Sequence, residues 1–110
     1  MHTLFSGGLV FDGTDKRLEG HGVLVEGGKI TRLAPIAEFD GFAGHRVDTS
    51  GGTLLPGLID CHVHLCYGGE GNPWANMVGM RDAQIVMRAL DFAQASLRGG
   101  ITGLRDCGGK

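Results

Sequence analysis

His62 and His64 stand one residue apart in "LLPGLIDCHVHLCYGG", residues 54 to 69, at the end of an apolar run that opens with Pro56 and Gly57. In a strand, side chains alternate faces, so Leu58, Asp60, His62 and His64 would share one side and Ile59, Cys61, Val63 and Leu65 the other. Cα atoms at i and i+2 lie roughly 6 to 7 Å apart. Two imidazoles at that spacing can tilt their nitrogens toward one ion, at metal–nitrogen distances of about 2.0 to 2.1 Å. The same spacing suits two polar residues on an ordinary strand, and the pair alone does not decide between these readings.

Position adds weight to the metal. In α/β sheets and barrels, function gathers at the C-terminal ends of the strands. The pair lies there, just before a glycine-rich loop, "CYGGEGNPWANM". Asp60, on the same predicted face, can orient a ligand imidazole as an outer carboxylate, or it can simply bond to backbone. Tyr67 and Trp74 in the loop are candidates to line a pocket, or to anchor the loop itself. Arg105 and Asp106 close the second strand, and Arg105 could grip a substrate carboxylate with its forked donors; the plainer reading is a structural ion pair. His2, His21 and His45 are scattered and receive no role. "GGEGNPW" lacks the third glycine and the strand-to-helix setting of a nucleotide fingerprint.

These residues need elements to hold them. "TLFSGGLVF" and "HGVLVEGGKITRLA" read as short strands, with Gly27-Gly28 a two-residue hairpin turn requiring positive φ. "RVDTSGGTLLPG" adds a strand and a turn leading to Pro56-Gly57, Pro35 ends the run before it, and "EFDGFAGH" reads as a loop. After residue 80 the period changes. Val86, Leu90, Ala93 and Leu97 form a helical stripe widened by Ile85, Ala89 and Phe92, with Arg88, Asp91 and Gln94 opposite. Asp82 suits the cap or first turn, and Gly99-Gly100 suits the stop. The strand "ITGLRD" follows. Residues 56 to 107 thus read as a strand–loop–helix–strand unit of a parallel, helix-covered sheet. Its two strands would leave both edges open, so the expectation is the N-terminal part of a longer chain; a (β/α)₈ barrel takes about 250 residues.

Composition excludes some classes. The chain has 110 residues, with 10 Lys+Arg against 12 Asp+Glu and a formal charge of -2. No like-charge run marks a nucleic-acid or acidic-membrane footprint, so neither partner is expected. The 21 glycines, against ordinary usage of about 7%, fall between apolar stretches as turns. The three cysteines, Cys61, Cys66 and Cys107, form no C-x-x-C pair. They are expected to be buried or partly buried thiols in a reducing cytoplasm. No secretory leader or membrane span is expected.

"GGTLLPGLIDCHVHL" resembles the first barrel strand of the metal-dependent amidohydrolase superfamily, in which a "PG-hydrophobe-hydrophobe-D-x-H-x-H" pattern carries the first two metal ligands. "FSGGLVFDGT" and "GVLVEGGKITRLAP" are similar to the small N-terminal β domain of those enzymes. "LRGGITGLRDCGG" is similar to the "aGvTTvRDxGG" second strand of the branch of imidazolonepropionase-like enzymes and Xaa-Pro dipeptidases, with Gly103 where that pattern usually has threonine. The resemblance implies an α/β fold: residues 1–54 as part of a small β-sandwich domain, and residues 55–110 as the first βαβ unit of a (β/α)₈ barrel.

It also implies a hydrolase in which one or two divalent ions, usually zinc, activate water against an amide, peptide or related carbon–nitrogen bond, with a small molecule or dipeptide as substrate. His62 and His64 would be metal ligands. A lysine, two further histidines and an aspartate complete such sites from later strands, so the catalytic groups are expected beyond Lys110 and the isolated chain is expected to be inactive. A homo-oligomer is compatible with this reading. The alternative is a non-catalytic homologue kept for binding or assembly.

Overall fold

The computed structural model describes residues 2–109. The chain divides into two compact units, the first running to Pro56 and the second beginning at Gly57.

The first unit holds seven strands: β1 (His2–Ser6), β2 (Leu9–Phe11), β3 (Arg17–Leu18), β4 (His21–Glu26), β5 (Lys29–Pro35), β6 (His45–Asp48) and β7 (Thr53–Leu54). They form two sheets, ordered β5-β4-β1-β6 and β3-β2-β7. β1 runs antiparallel to β4 and parallel to β6, while β2 runs parallel to β7. Gly27 and Gly28 have φ of 56° and 80° and close the β4–β5 hairpin between Glu26 and Lys29. Such a turn needs positive φ at both central positions.

β1 and β2 do not pair with each other. Gly7-Gly8 carries the chain from one sheet to the other, and Thr49 fastens the crossing. Its hydroxyl donates to the Ser6 carbonyl at 3.0 Å and accepts from the Gly8 amide at 3.0 Å. Leu4, Ala34 and Phe39 form the core, with Leu24 and Phe42 packed against it. Phe39 comes from the stretch expected to be loop. That stretch instead makes a 3₁₀ turn over Ile36–Phe39, which points the ring inward; a residue so short a distance from a strand end can be core without any periodicity to announce it.

The second unit comprises β8 (Leu58–Val63), α1 (Pro73–Val78), α2 (Asp82–Arg98) and β9 (Ile101–Asp106). β8 and β9 pair in parallel. Gly57 sits where an added Cβ would collide with the Thr102 side chain, so the strand entry requires a residue without one. α1 was not expected, because the loop around it reads as glycine-rich. An Asn-Pro start nucleates it: Asn72 Oδ1 accepts from the Ala75 amide at 3.1 Å, and Pro73 fills the first turn where its missing N–H costs nothing. In α2 Asp82 stands in the first turn, Gln84 Oε1 accepts from the Arg81 amide at 2.9 Å, and Gly100 takes φ 92° just past the end.

The covered face of α2 differs from the expected stripe. Ile85 is buried, and Arg88, Ala89, Phe92 and Ser96 are half-buried beside it, whereas Val86 is 66% exposed and Leu90 and Leu97 are also open. Arg88 is therefore on the packed side: its guanidinium pairs with Glu70 and lies 5.1 Å over the Phe92 ring. The core of this unit gathers Cys66, Met77 and Ile85 with Tyr67 and Met80, between the loop and the start of α2. The supposed apolar face of β8 is largely uncovered, with Ile59 72% exposed. A two-stranded sheet and one long helix have too little area to cover one another. Cys61 and Cys107 are exposed for the same reason, against expectation, while Cys66 is buried and all three thiols are free. Among the described residues no helix is long and apolar enough to cross a membrane.

Candidate functional site

Strand β8 does not keep a simple alternation up to its histidines. Its register on β9 shifts between Asp60 and Val63, and His64 lies one residue past the strand end. A shift of this kind puts an extra residue in one strand and removes an N–H from the ladder. Asp60 supplies the missing acceptor, its Oδ1 taking the His62 amide at 3.0 Å. The carboxylate therefore shapes backbone under the first histidine, the second of the two roles open to it from sequence, although it is exposed rather than buried.

The histidine rings remain neighbours despite the irregularity. Their centroids lie 5.3 Å apart, edge to face. His62 is exposed and His64 half-buried. His64 Nδ1 lies 2.6 Å from the carbonyl oxygen of Gly108, in the turn after β9. A carbonyl only accepts, so Nδ1 carries the proton and, in the neutral ring, Nε2 is left with its lone pair. Tyr67 stacks on the other side of His64, centroids 5.1 Å apart and tilted 35°, and its amide donates to the His64 carbonyl at 2.9 Å.

An open groove beside His64 is lined by Tyr67, Gly68, Pro73, Phe92 and Ser96. Trp74 and Arg105 are not among its lining residues. Trp74 is in α1 and 60% exposed. Arg105, exposed near the end of β9, makes no ion pair with Asp106 among the described residues. Asp106 grips backbone instead: Oδ1 accepts from the Gly108 amide at 2.8 Å and Oδ2 from the Leu65 amide at 3.4 Å. Sequence reasoning did not anticipate this grip, though Asp followed two residues later by glycine is the pattern of a turn closed by a carboxylate. Glu70 was also missed. Its own amide, then the Arg88 guanidinium, hold its carboxyl below the ordinary value.

A mostly apolar cleft lies in the first unit, between Phe5, Val10, Val23, Leu33 and Leu54, and Asp12 is its one titratable lining residue. It holds no constellation for chemistry. Among the described residues no group of three or more His, Cys, Asp or Glu side chains is arranged to hold a metal, so the histidines stand as a pair.

Residues 53–110 match the amidohydrolase family model. The chain belongs to the amidohydrolase family. This amidohydrolase chain is 36% identical over 86 residues to imidazolonepropionase from Hahella chejuensis, an alignment covering 76% of this chain and 19% of the relative. A solved amidohydrolase structure superposes with a TM-score of 0.80 at 33% identity, covering 100% of this chain and 26% of that one. A prolidase solved with N-methylphosphonate-L-proline does so with a TM-score of 0.80 at 30% identity, again covering 100% and 26%. The chain thus spans between a fifth and about a quarter of the length of these relatives.

Proposed function

We propose that this amidohydrolase chain carries the opening part of a metal-dependent hydrolase of carbon–nitrogen bonds, with His62 and His64 as its first two metal ligands. On this reading the second unit is the first βαβ unit of a (β/α)₈ barrel, and the first unit is part of a small β-sandwich. One observation carries the proposal: two imidazoles sit edge to face at 5.3 Å, one of them tied back through Nδ1 to a carbonyl so that Nε2 is presented. That donor set fits a divalent ion of zinc type, since imidazole nitrogens suit such metals and an outer partner on the second nitrogen is the usual arrangement.

When bound, such an ion lowers the pKa of its water toward about 7 and polarises a carbonyl. The chain's own residues have narrower tasks. Asp60 fixes the backbone under His62, and the Gly108 carbonyl fixes the ring of His64. On this reading Tyr67, which lines the groove beside His64, would contact a substrate, with Trp74 and Arg105 as candidates for contacts further from the histidines. The substrate class is a small amide or a dipeptide, in keeping with the prolidase and imidazolonepropionase relatives; a cytoplasmic setting without nucleic-acid or membrane partners goes with it.

Two histidines are fewer than the three protein ligands usual at a catalytic zinc. The 110-residue chain should therefore hold zinc weakly and hydrolyse neither N-acyl amino acids nor Xaa-Pro dipeptides. Zinc titration against a competing chelator tests the ligand assignment. His62→Ala and His64→Ala should each abolish most of the binding shown by the wild-type chain. Equal zinc uptake by all three proteins, or clear turnover by the pure chain, would overturn the reading.

A further inference from the structure

His64 and its two chain neighbours are each tied to the end of β9 or the turn that follows it. The residue before it, Val63, accepts the Cys107 amide at 2.8 Å through its carbonyl. The residue after it, Leu65, donates its amide to Asp106 Oδ2 at 3.4 Å. Its own ring donates to the Gly108 carbonyl at 2.6 Å. The glycine that carries that carbonyl is itself held by the second bond of the same carboxylate, which accepts through Asp106 Oδ1 from the Gly108 amide at 2.8 Å, and it takes φ 110°. Only glycine takes that backbone conformation without strain.

We infer that Asp106 is a positioning residue for His64: one carboxylate holds both the residue after the histidine and the glycine whose carbonyl accepts the hydrogen bond from the ring, and so favours the tautomer that offers Nε2. The inference rests on the metal reading only for its consequence, since the tautomer exists with or without an ion. Its physical basis is that a ligand's outer partner fixes both ring rotation and protonated nitrogen, and loss of such partners commonly lowers metal affinity about 10- to 100-fold. Replacing Asp106 by alanine frees the Gly108 amide and the Leu65 amide together. The turn then has no side chain to keep its carbonyl aimed at the ring.

The test is ¹⁵N NMR of the histidine side chains in the metal-free chain, followed by zinc titration. In wild type, His64 should show a single neutral tautomer protonated at Nδ1. In Asp106→Ala the two nitrogens should average, with His62 unchanged and the amide signals of the first unit unmoved, and zinc affinity should fall about 10- to 100-fold. Asp106→Asn keeps one oxygen for the Gly108 amide and should rescue the Nδ1 tautomer and most of the affinity; it is also the variant to read if alanine fails to fold. An Nδ1 tautomer that persists in folded Asp106→Ala, averaging already in wild type, or averaging in folded Asp106→Asn equal to that of a disordered histidine would each overturn the inference. If the tautomer changes as expected while no protein binds zinc, the positioning role stands and the metal reading falls. If zinc binds through both histidines and the tautomer ignores Asp106, the reverse holds.

Discussion

In the first unit Leu4, on the inner strand β1 of the four-stranded sheet, is fully enclosed, 0% exposed, and Phe39 from the 3₁₀ turn packs with it. In the second unit the most enclosed residue, Met77, belongs to a short helix and a loop, while Ile59, Val86 and Leu97 on the strand and the long helix lie open. The chemistry-bearing histidines are in the unit with the thinner core. Backbone hydrogen bonds to carboxylates take over part of the positioning there: Asp60 holds His62, and Asp106 holds the turn that meets His64. In the first unit apolar burial works alongside the Thr49 hydroxyl that fastens the crossing between sheets, whereas the second relies more on where its polar groups point.

The largest expected effect sets the two cores against each other. Leu4→Ala should cost about 2–5 kcal/mol, the usual range for emptying a fully buried aliphatic site, and Met77→Ala about 2 kcal/mol, because Cys66, Tyr67 and Met80 can close over the space. Urea unfolding followed through the amide signals of each unit measures both; a greater loss at Met77 than at Leu4 would reverse the comparison. A smaller effect should come from the open helix flank. Val86→Ser should change stability by no more than about 0.5 kcal/mol, as at exposed positions generally. A loss of several times that would mean the flank is packed in solution.

The smallest effect is a pH dependence in the loop of the second unit. Glu70 has its carboxyl lowered from the ordinary 4.5 by its own amide and then by Arg88. A lowered carboxyl contributes stability that is fully present above the ordinary value and is lost as pH falls through the lowered one. Hydrogen exchange of the loop amides should therefore speed up in the wild-type chain, relative to Glu70→Gln, as pH falls below the ordinary 4.5. Identical acid profiles for wild type and Glu70→Gln would show that the pair with Arg88 does not fasten the loop.

Much of this was legible in the amino-acid sequence because local chemistry agreed with the tertiary result. Gly27-Gly28 can serve one kind of hairpin, α2 declares itself by its period, and the run from Pro56 to His64 carries the family pattern. The missed features depend on partners distant along the chain or on a local exception. β1 and β2 read simply as short strands either side of Gly7-Gly8, and it is Thr49, some forty residues on, that fastens the crossing between their different sheets. α2 shows two adjacent apolar flanks, and periodicity cannot say which one finds a neighbour. The register shift in β8 is invisible to strict alternation. The bond from His64 to the Gly108 carbonyl joins residues 44 positions apart, and its acceptor is backbone, which every residue has and no sequence pattern marks.

Gly57 has a consequence at the opposite end of its strand. Parallel strands with two irregularities in their ladder have few features to fix one alignment over its neighbours, and a slip would turn side chains to the wrong face. Thr102 fills the space that a Cβ at position 57 would need, so β9 is indexed against β8 at the first step, as a tooth finds the one gap cut for it. Every later residue inherits that alignment. The absent methyl group at the entrance thus helps decide which carboxylate and which carbonyl come level with His64 at the exit.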